Sequence, residues 1–360
     1  MSKAPRVDFM IVGQGLAGSI LAWLLIGQNQ RVIICDPSIG DSASRIAAGI
    51  VNPITGKRFV KAAVTSLCLE HALLIYRQIE AFFGQRFYYQ KPLLRLFNDA
   101  EEHSNWLKRR SDGDYAGYFG NSLEPGSHPF DLRNKFGGYE QYGCGYLDCR
   151  GLLDTLQNYF SNQGVLIPET MDFDAIRLTK PAITWRGTIL RKIIFCEGFQ
   201  AIQNPWFAWL PFQISKGEIL SLNTAGRLPE AIINQGRWLL PLPNQKFRLG
   251  ATYERTQLDT TPSTEARQSL LKFHQDLFIN ASPATVVKHD AGIRPGTLDK
   301  KPFIGSHPAN EYLSIFNGFG STGVLKIPYY AEQFTRHLLQ AAPLPASVNI
   351  NRYYARYSSG

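Results

Sequence analysis

The order strand, glycine turn, helix, strand, acid over residues 8–36 constrains this chain more than any other feature in it. FMIVG is an apolar strand, GQGLAG (13–18) the turn, SILAWLLIG a helix, and RVIICD (31–36) a second strand. Gly13 and Gly15 permit a tight turn and let backbone N–H groups approach a pyrophosphate, with Leu16 and Ala17 at the helix start. Gly18 allows the helix to lie close on the strand, and the helix N-terminus favours negative charge. Asp36, followed by Pro37, ends the second strand 18 residues beyond Gly18, where a carboxylate can accept ribose hydroxyls. This reads as a dinucleotide-binding unit of α/β type.

The same glycine spacing recurs at GFGSTG (318–323), after the strand YLSIF and before LKIPYYAEQFTRHLL, which reads as a helix. No second strand and acid follow it. It is therefore expected to be a backbone loop and helix start that approach the same cofactor from another side, with Gly318, Gly320, Ser321, Thr322 and Gly323 as contacts. Their amides and the helix start would favour negative charge on the part of the cofactor they face. Pro328 leaves two placements of the helix start, one near Gly323 and one at Pro328 itself, the latter making 320–327 an extended loop.

Composition removes several alternatives. The chain has 360 residues, 44% hydrophobic and 19% charged, which is ordinary globular material. Its net charge of +9 is spread along the chain, compatible with a diffusely basic surface or a basic face for an anionic partner such as RNA. No apolar run nears the roughly 20 residues that span a membrane. The N-terminus, with Asp8 and the glycine turn, makes a poor signal peptide. The five cysteines (35, 68, 144, 149, 196) contain no CxxC and read as reduced thiols of a cytoplasmic protein, although Cys144 and Cys149 could meet. Seven histidines show no HExxH, so no metal site is expected. No feature specifies an oligomeric state.

NAD and FAD share the first fingerprint, and the later segments separate them. SASRIAAGIVNP (42–53) supplies Ser44, Arg45, Ala48 and Gly49; GTILRKIIFCEGF (187–199) is a hairpin strand ending in Cys196-Glu197-Gly198, where backbone again meets a cofactor. With PFQISKGEIL (211–220), GxRPxTxDxxPxIG (292–305) and NGFGSTG, the chain resembles the D-amino-acid oxidase and glycine oxidase family of FAD-dependent oxidoreductases over nearly its whole length. The resemblance implies a Rossmann-like FAD-binding domain from three segments, 1–85, 145–210 and 290–345. A sheet-rich substrate domain would be formed by 86–144 and 211–289, α+β overall. GEILSL, WLLPLP and FRLGATYE look like strands there, and TPSTEARQSLLKFHQDLF like a helix behind a Thr/Ser cap.

Within AGIRPGTLDKKPFIG, Pro295 stiffens the backbone beside Arg294, whose planar guanidinium suits a two-oxygen anion. By resemblance, Arg294 holds a substrate carboxylate beside the flavin, and Trp238 and Tyr253 match pocket positions. As bare residues both aromatics read as core rather than pocket, and only the resemblance favours the pocket. His289 and Asp290 read as strand-end polar residues. Some family members carry a second arginine in the closing loop; here Lys326 or Lys57-Arg58 could supply that charge. No cysteine follows Cys196, so FAD is expected to be non-covalent. The implied activity is oxidation of the C–N bond of a small amino acid or N-substituted glycine, by hydride transfer to flavin N5 and imine hydrolysis. The sequence also resembles the flavin domain of the bifunctional enzyme that removes a carboxymethyl group from the tRNA wobble uridine, which would make tRNA a partner. A flavin-binding protein without turnover is the remaining alternative.

Overall fold

The computed structural model describes residues 6–38, 40, 42–127, 129–179 and 182–357. The strand Arg6–Val12 turns fully apolar at its end, and Phe9, Met10 and Ile11 are completely buried. It pairs in parallel with Val32–Cys35 on one side and with Thr188–Phe195 on the other. Leu166–Ile167 continues the parallel series beyond Val32–Cys35, and Asn310–Asn317 pairs in parallel with the end of Thr188–Phe195. Parallel strands are covered on both faces, which explains their unbroken apolar runs. The helix Leu16–Gly27 is apolar almost all round and packs against the helices Cys149–Asn162 and Gly323–Gln340.

These elements belong to one compact unit, Met1–Arg45, Cys149–Ser215 and Arg294–Gly360; a second comprises Ile46–Asp148 and Lys216–Ile293. The first division falls after Arg45, whereas the sequence suggested 85. The reason is a small three-stranded sheet: Gly145–Leu147 pairs with both Ile50–Val51 and Tyr88–Gln90, closing 46–148 on itself. The last unit-one segment runs past the expected 345. Ile304 donates to the Val348 carbonyl at 3.0 Å and accepts from Ile350 at 3.0 Å, and Arg352 pairs with Asp299 at 3.0 Å.

The second unit is built on a larger sheet in the order Ala284–Arg294, Ser215–Thr224, Lys246–Gly250, Arg237–Leu242, Ile232–Gln235, Leu93–Leu96, Gly138–Gln141, Phe119–Leu123. The expected strands over WLLPLP and GEILSL lie in it. That over FRLGATYE stops at Gly250, so Tyr253 is outside the ladder. The helix Thr264–Leu277 is capped by Ser263, whose Oγ accepts from the Ala266 N–H at 3.2 Å, and it buries Leu270 and Leu277 against Leu220, Phe247 and Leu249. Among the described residues no helix is long and apolar enough to cross a membrane.

Candidate functional site

In the first unit the turn after Arg6–Val12 is fixed by main chain. The Gly13 N–H donates to Cys35 O at 2.9 Å, and the Cys196 N–H donates to Val12 O at 2.7 Å. Gly13 has φ +103°, and a Cβ there would lie 2.6 Å from the Cys196 carbonyl oxygen. A Cβ on Gly18 would collide with the Gly13 carbonyl. Gly15 is extended and has no side chain to cap the helix; instead Ser44 Oγ accepts the Leu16 N–H at 3.1 Å. A bare backbone cradle at a helix N-terminus is a ready site for an anion.

Asp36 closes this loop from the second strand. Its Oδ2 accepts the Gln14 N–H at 2.7 Å and its Oδ1 accepts the Ser38 N–H at 2.7 Å. Each carboxylate oxygen retains acceptor capacity for a ribose hydroxyl. Gln14 carries no signal in the sequence because it is a variable position of the glycine pattern. Its side-chain amide also donates to Ser19 Oγ at 3.1 Å. Arg45 does not face the cradle with a free charge. Its guanidinium binds Asp154 and Gln157, and its own N–H donates to Ser42 O at 2.9 Å. These polar contacts anchor Arg45, the last residue of the unit's first segment, to the helix Cys149–Asn162. Ala48 and Gly49 fall in the second unit, where Gly49 admits the close approach of the Leu147 backbone.

The Cys196-Glu197-Gly198 turn forms the other wall of the cradle. The Glu197 carboxylate accepts from Asn204 Nδ2 at 2.7 Å, and burial pushes its pKa up to about 7. Asn317, itself buried, donates from Nδ2 to Gly198 O at 2.8 Å and accepts the Gly318 N–H. This one side chain ties the second glycine loop to the turn beside the first. All five cysteines are buried free thiols.

The second loop also meets the arginine turn. Arg294 ends the strand Ala284–Arg294 and is half-buried. The Gly320 N–H donates to Pro295 O at 3.1 Å, and a Cβ on Gly318 would lie 2.6 Å from Thr297 Cγ2. The Gly296 carbonyl accepts from Gln213 at 2.8 Å, fixing the turn from its far side. The helix begins at Gly323 after the short turn Gly320–Thr322, with Pro328 inside it. The extended loop over 320–327 is thus replaced by a short turn and helix, with Pro328 in the second helical turn, where its ring removes one intrahelical donor. Ser321 is exposed, Thr322 Oγ1 donates to Phe319 O at 3.2 Å, and Lys326 is half-buried in the helix's first turns.

The aromatic candidates lie in the second unit. Trp238 is half-buried against Ala48, Tyr146 and Leu240, with its ring over Gly250. Tyr253 is 60% exposed, with the Arg255 guanidinium 5.1 Å from its ring centre. Lys57 is exposed and lies 3.6 Å from Asp99, and Arg58 is exposed. His289 and Asp290 sit in a strand, facing Glu218 at 2.9 Å and Lys288 at 2.7 Å respectively. The side-chain-free cradle, the helix start and the carboxylate with spare acceptor capacity fit an adenine dinucleotide such as FAD.

Comparison with known proteins gives the same chemistry. The family model for FAD dependent oxidoreductases (DAO) matches residues 8–337. A glycine oxidase of Pseudomonas putida is 25% identical over 93% of this chain and 95% of its own length. The tRNA 5-methylaminomethyl-2-thiouridine biosynthesis bifunctional protein of Leptospira interrogans is 22% identical over 95% of this chain, which spans 59% of that protein. In fold, the chain superimposes on the crystal structure of glycine oxidase from Geobacillus kaustophilus with a TM-score of 0.82, covering 94% and 96% of the two chains at 21% identity.

Proposed function

Because the chain belongs to the FAD-dependent oxidoreductase (DAO) family, and is thus a redox enzyme that uses FAD, we propose that it oxidises the C–N bond of a small amino acid or N-substituted glycine. The observation that carries this reading is the joining of the Arg294 turn to the second glycine loop through the Gly320 N–H and Pro295 O at 3.1 Å. When bound, FAD supplies the hydride acceptor, and the oxidised substrate leaves as an imine that hydrolyses. The protein's share is orientation and charge. Arg294 offers a planar fork for the substrate carboxylate, and the start of the helix Gly323–Gln340 favours negative charge beside the carboxylate site.

Asp36 is assigned to the adenosine ribose, and the bare backbone at Gly15 with the helix start behind it to the pyrophosphate, held non-covalently. Glu197 lines the same cradle, and protonation there would spare the pyrophosphate a second negative neighbour. Trp238 and Tyr253 keep a pocket role only as an expectation from family likeness. The test is an anaerobic screen of glycine, sarcosine and other small amino acids, following flavin absorbance. Bleaching by glycine or sarcosine supports the reading; no bleaching by any carboxylate-bearing amine overturns it.

A second reading keeps the chemistry and places the amine on a tRNA wobble uridine, with removal of a carboxymethyl group. Its support is the match of 95% of this chain to the tRNA-modifying relative. Bleaching by carboxymethylaminomethyl-bearing tRNA, in a screen where free amino acids fail, would select it.

A further inference from the structure

Two basic runs far apart in the chain meet in the second unit. Lys108, Arg109 and Arg110 form the last turn of the helix Ala100–Arg110. Lys57, Arg58 and Lys61 lie on the loop before the helix Thr65–Phe83, and that loop is pinned to the helix Ala100–Arg110 by Asn105 Nδ2 donating to Lys57 O at 3.4 Å. Lys61 Nζ and the Arg109 guanidinium lie 6.0 and 5.8 Å from the centre of the same Tyr115 ring, and Lys61 is 5.2 Å from that of Tyr118. The Lys61 N–H donates to the Tyr115 hydroxyl at 3.1 Å. Arg110 stacks 5.1 Å from the Trp106 ring centre.

Basic residues in a last helical turn are favoured by the helix dipole, which accounts for Lys108, Arg109 and Arg110 alone. It does not account for a second basic run brought beside them, where like charges repel. Among the described residues, acids pair only with Lys57 (Asp99, 3.6 Å) and Arg109 (Asp112, 4.0 Å). Arg58, Lys61, Lys108 and Arg110 have no such partner there. Ring contacts hold Arg109 and Arg110 against aromatic faces, which reduces the entropy lost when a guanidinium fork closes on a phosphate. A lipid surface would require an apolar face beside the charge, and the exposed apolar side chains on these two segments are only Val60 and Leu107.

We propose that the surface formed by Arg58, Lys61, Lys108, Arg109 and Arg110 binds the phosphate backbone of RNA. The contacts are to phosphates, so binding is sequence-tolerant and falls steeply with salt. This inference stands on the patch and not on the substrate reading. Reduction of the flavin by glycine would leave it intact, and RNA binding alone would not move the oxidised amine onto RNA.

The test uses the FAD-loaded full chain and a fluorescein-labelled tRNA transcript, read by anisotropy from about 50 to about 200 mM salt. The triple variant Arg58→Glu, Lys108→Glu, Arg110→Glu is expected to bind at least tenfold more weakly, with a shallower salt slope. The reference variant Lys246→Glu, Lys300→Glu, Lys301→Glu reverses as many exposed charges elsewhere and is expected to bind like the native chain. Flavin content and Tm confirm that each variant is folded; if the triple variant is not, Lys108→Gln with Arg110→Gln is measured in its place. Absence of tRNA binding, or equal weakening in the patch and reference variants, overturns the proposal. So does binding to phosphatidylserine vesicles that tRNA fails to displace, which would assign the patch to a membrane surface.

Discussion

The two glycine loops share one spacing and differ in what their glycines touch. In the first, the space a Cβ would need is filled by main chain at two of the three glycines, the Cys196 carbonyl at Gly13 and the Gly13 carbonyl at Gly18, while Gly15 faces the Ser44 side chain at 3.3 Å. In the second it is filled mostly by side chains: Thr297 at Gly318 and Ile327 at Gly323, the latter at 3.1 Å. Gly18 sits in the first turn of a helix that is buried nearly all round, whereas Gly323 opens an amphipathic helix behind a short turn. Backbone cannot step aside without breaking strand pairing, while a side chain can change rotamer. The first loop is therefore a rigid cradle and the second an adjustable collar tied to the Arg294 turn.

Four substitutions bear on that contrast. Gly18→Ala should cost most, more than about 3 kcal/mol, because its methyl group has only the Gly13 carbonyl to displace; Tm and flavin content should both collapse. Retention of both would erase the distinction between the loops.

Arg294→Lys keeps the charge and loses the planar fork. A fall in kcat/KM for the carboxylate-bearing substrate of about 2–4 kcal/mol is expected, with flavin content near normal, since the phosphates are assigned to the first loop. An amine lacking the carboxylate should be nearly indifferent to the change. Loss of flavin instead would move Arg294 into the cofactor's own binding.

Glu197→Gln probes the first loop's wall. Burial raises the Glu197 pKa from 4.5 to about 7, so the folded chain binds an extra proton between those values. The native chain accordingly loses stability as pH rises from about 4.5 through about 7. The glutamine variant lacks that loss and still accepts from Asn204. Thermal unfolding should show the two alike at the acid end and the variant more stable by about 2–3 kcal/mol at pH 8. Parallel pH profiles would mean that Glu197 stays solvated and ionised.

The smallest effect belongs to Gly323→Ala. Ile327 must give by a few tenths of an ångström, and alanine's helix propensity offsets part of that cost. A change within about 1 kcal/mol is expected, with flavin retained. A loss as large as that of Gly18→Ala would make the second loop as rigid as the first.

The contrast also marks what local patterns can reveal. The strand–turn–helix–strand order, Asp36 and the Ser263 cap are legible because each depends on residues close in the chain. Arg45 stands out in the sequence as a cation near the loop, yet Asp154 and Gln157 occupy it from another segment. Tyr253 reads as part of a strand, but the ladder ends at Gly250 and leaves it largely exposed. Gln14 and Asn204 carry no signal of their own, and nothing local in NGFGSTG shows that Asn317 joins the second loop to the turn beside the first.

By itself the sequence determined the dinucleotide-type core and the presence of a second glycine turn followed by a helix. Hydrophobic periodicity, glycine and capping act over a few residues, so these features need no knowledge of distant neighbours. Tertiary structure alone decided that the chain divides after Arg45, that the Arg294 turn meets Gly320, and that two basic runs share one face. Each depends on strands and loops brought together across long stretches of chain, where register and packing, not local preference, select the partner.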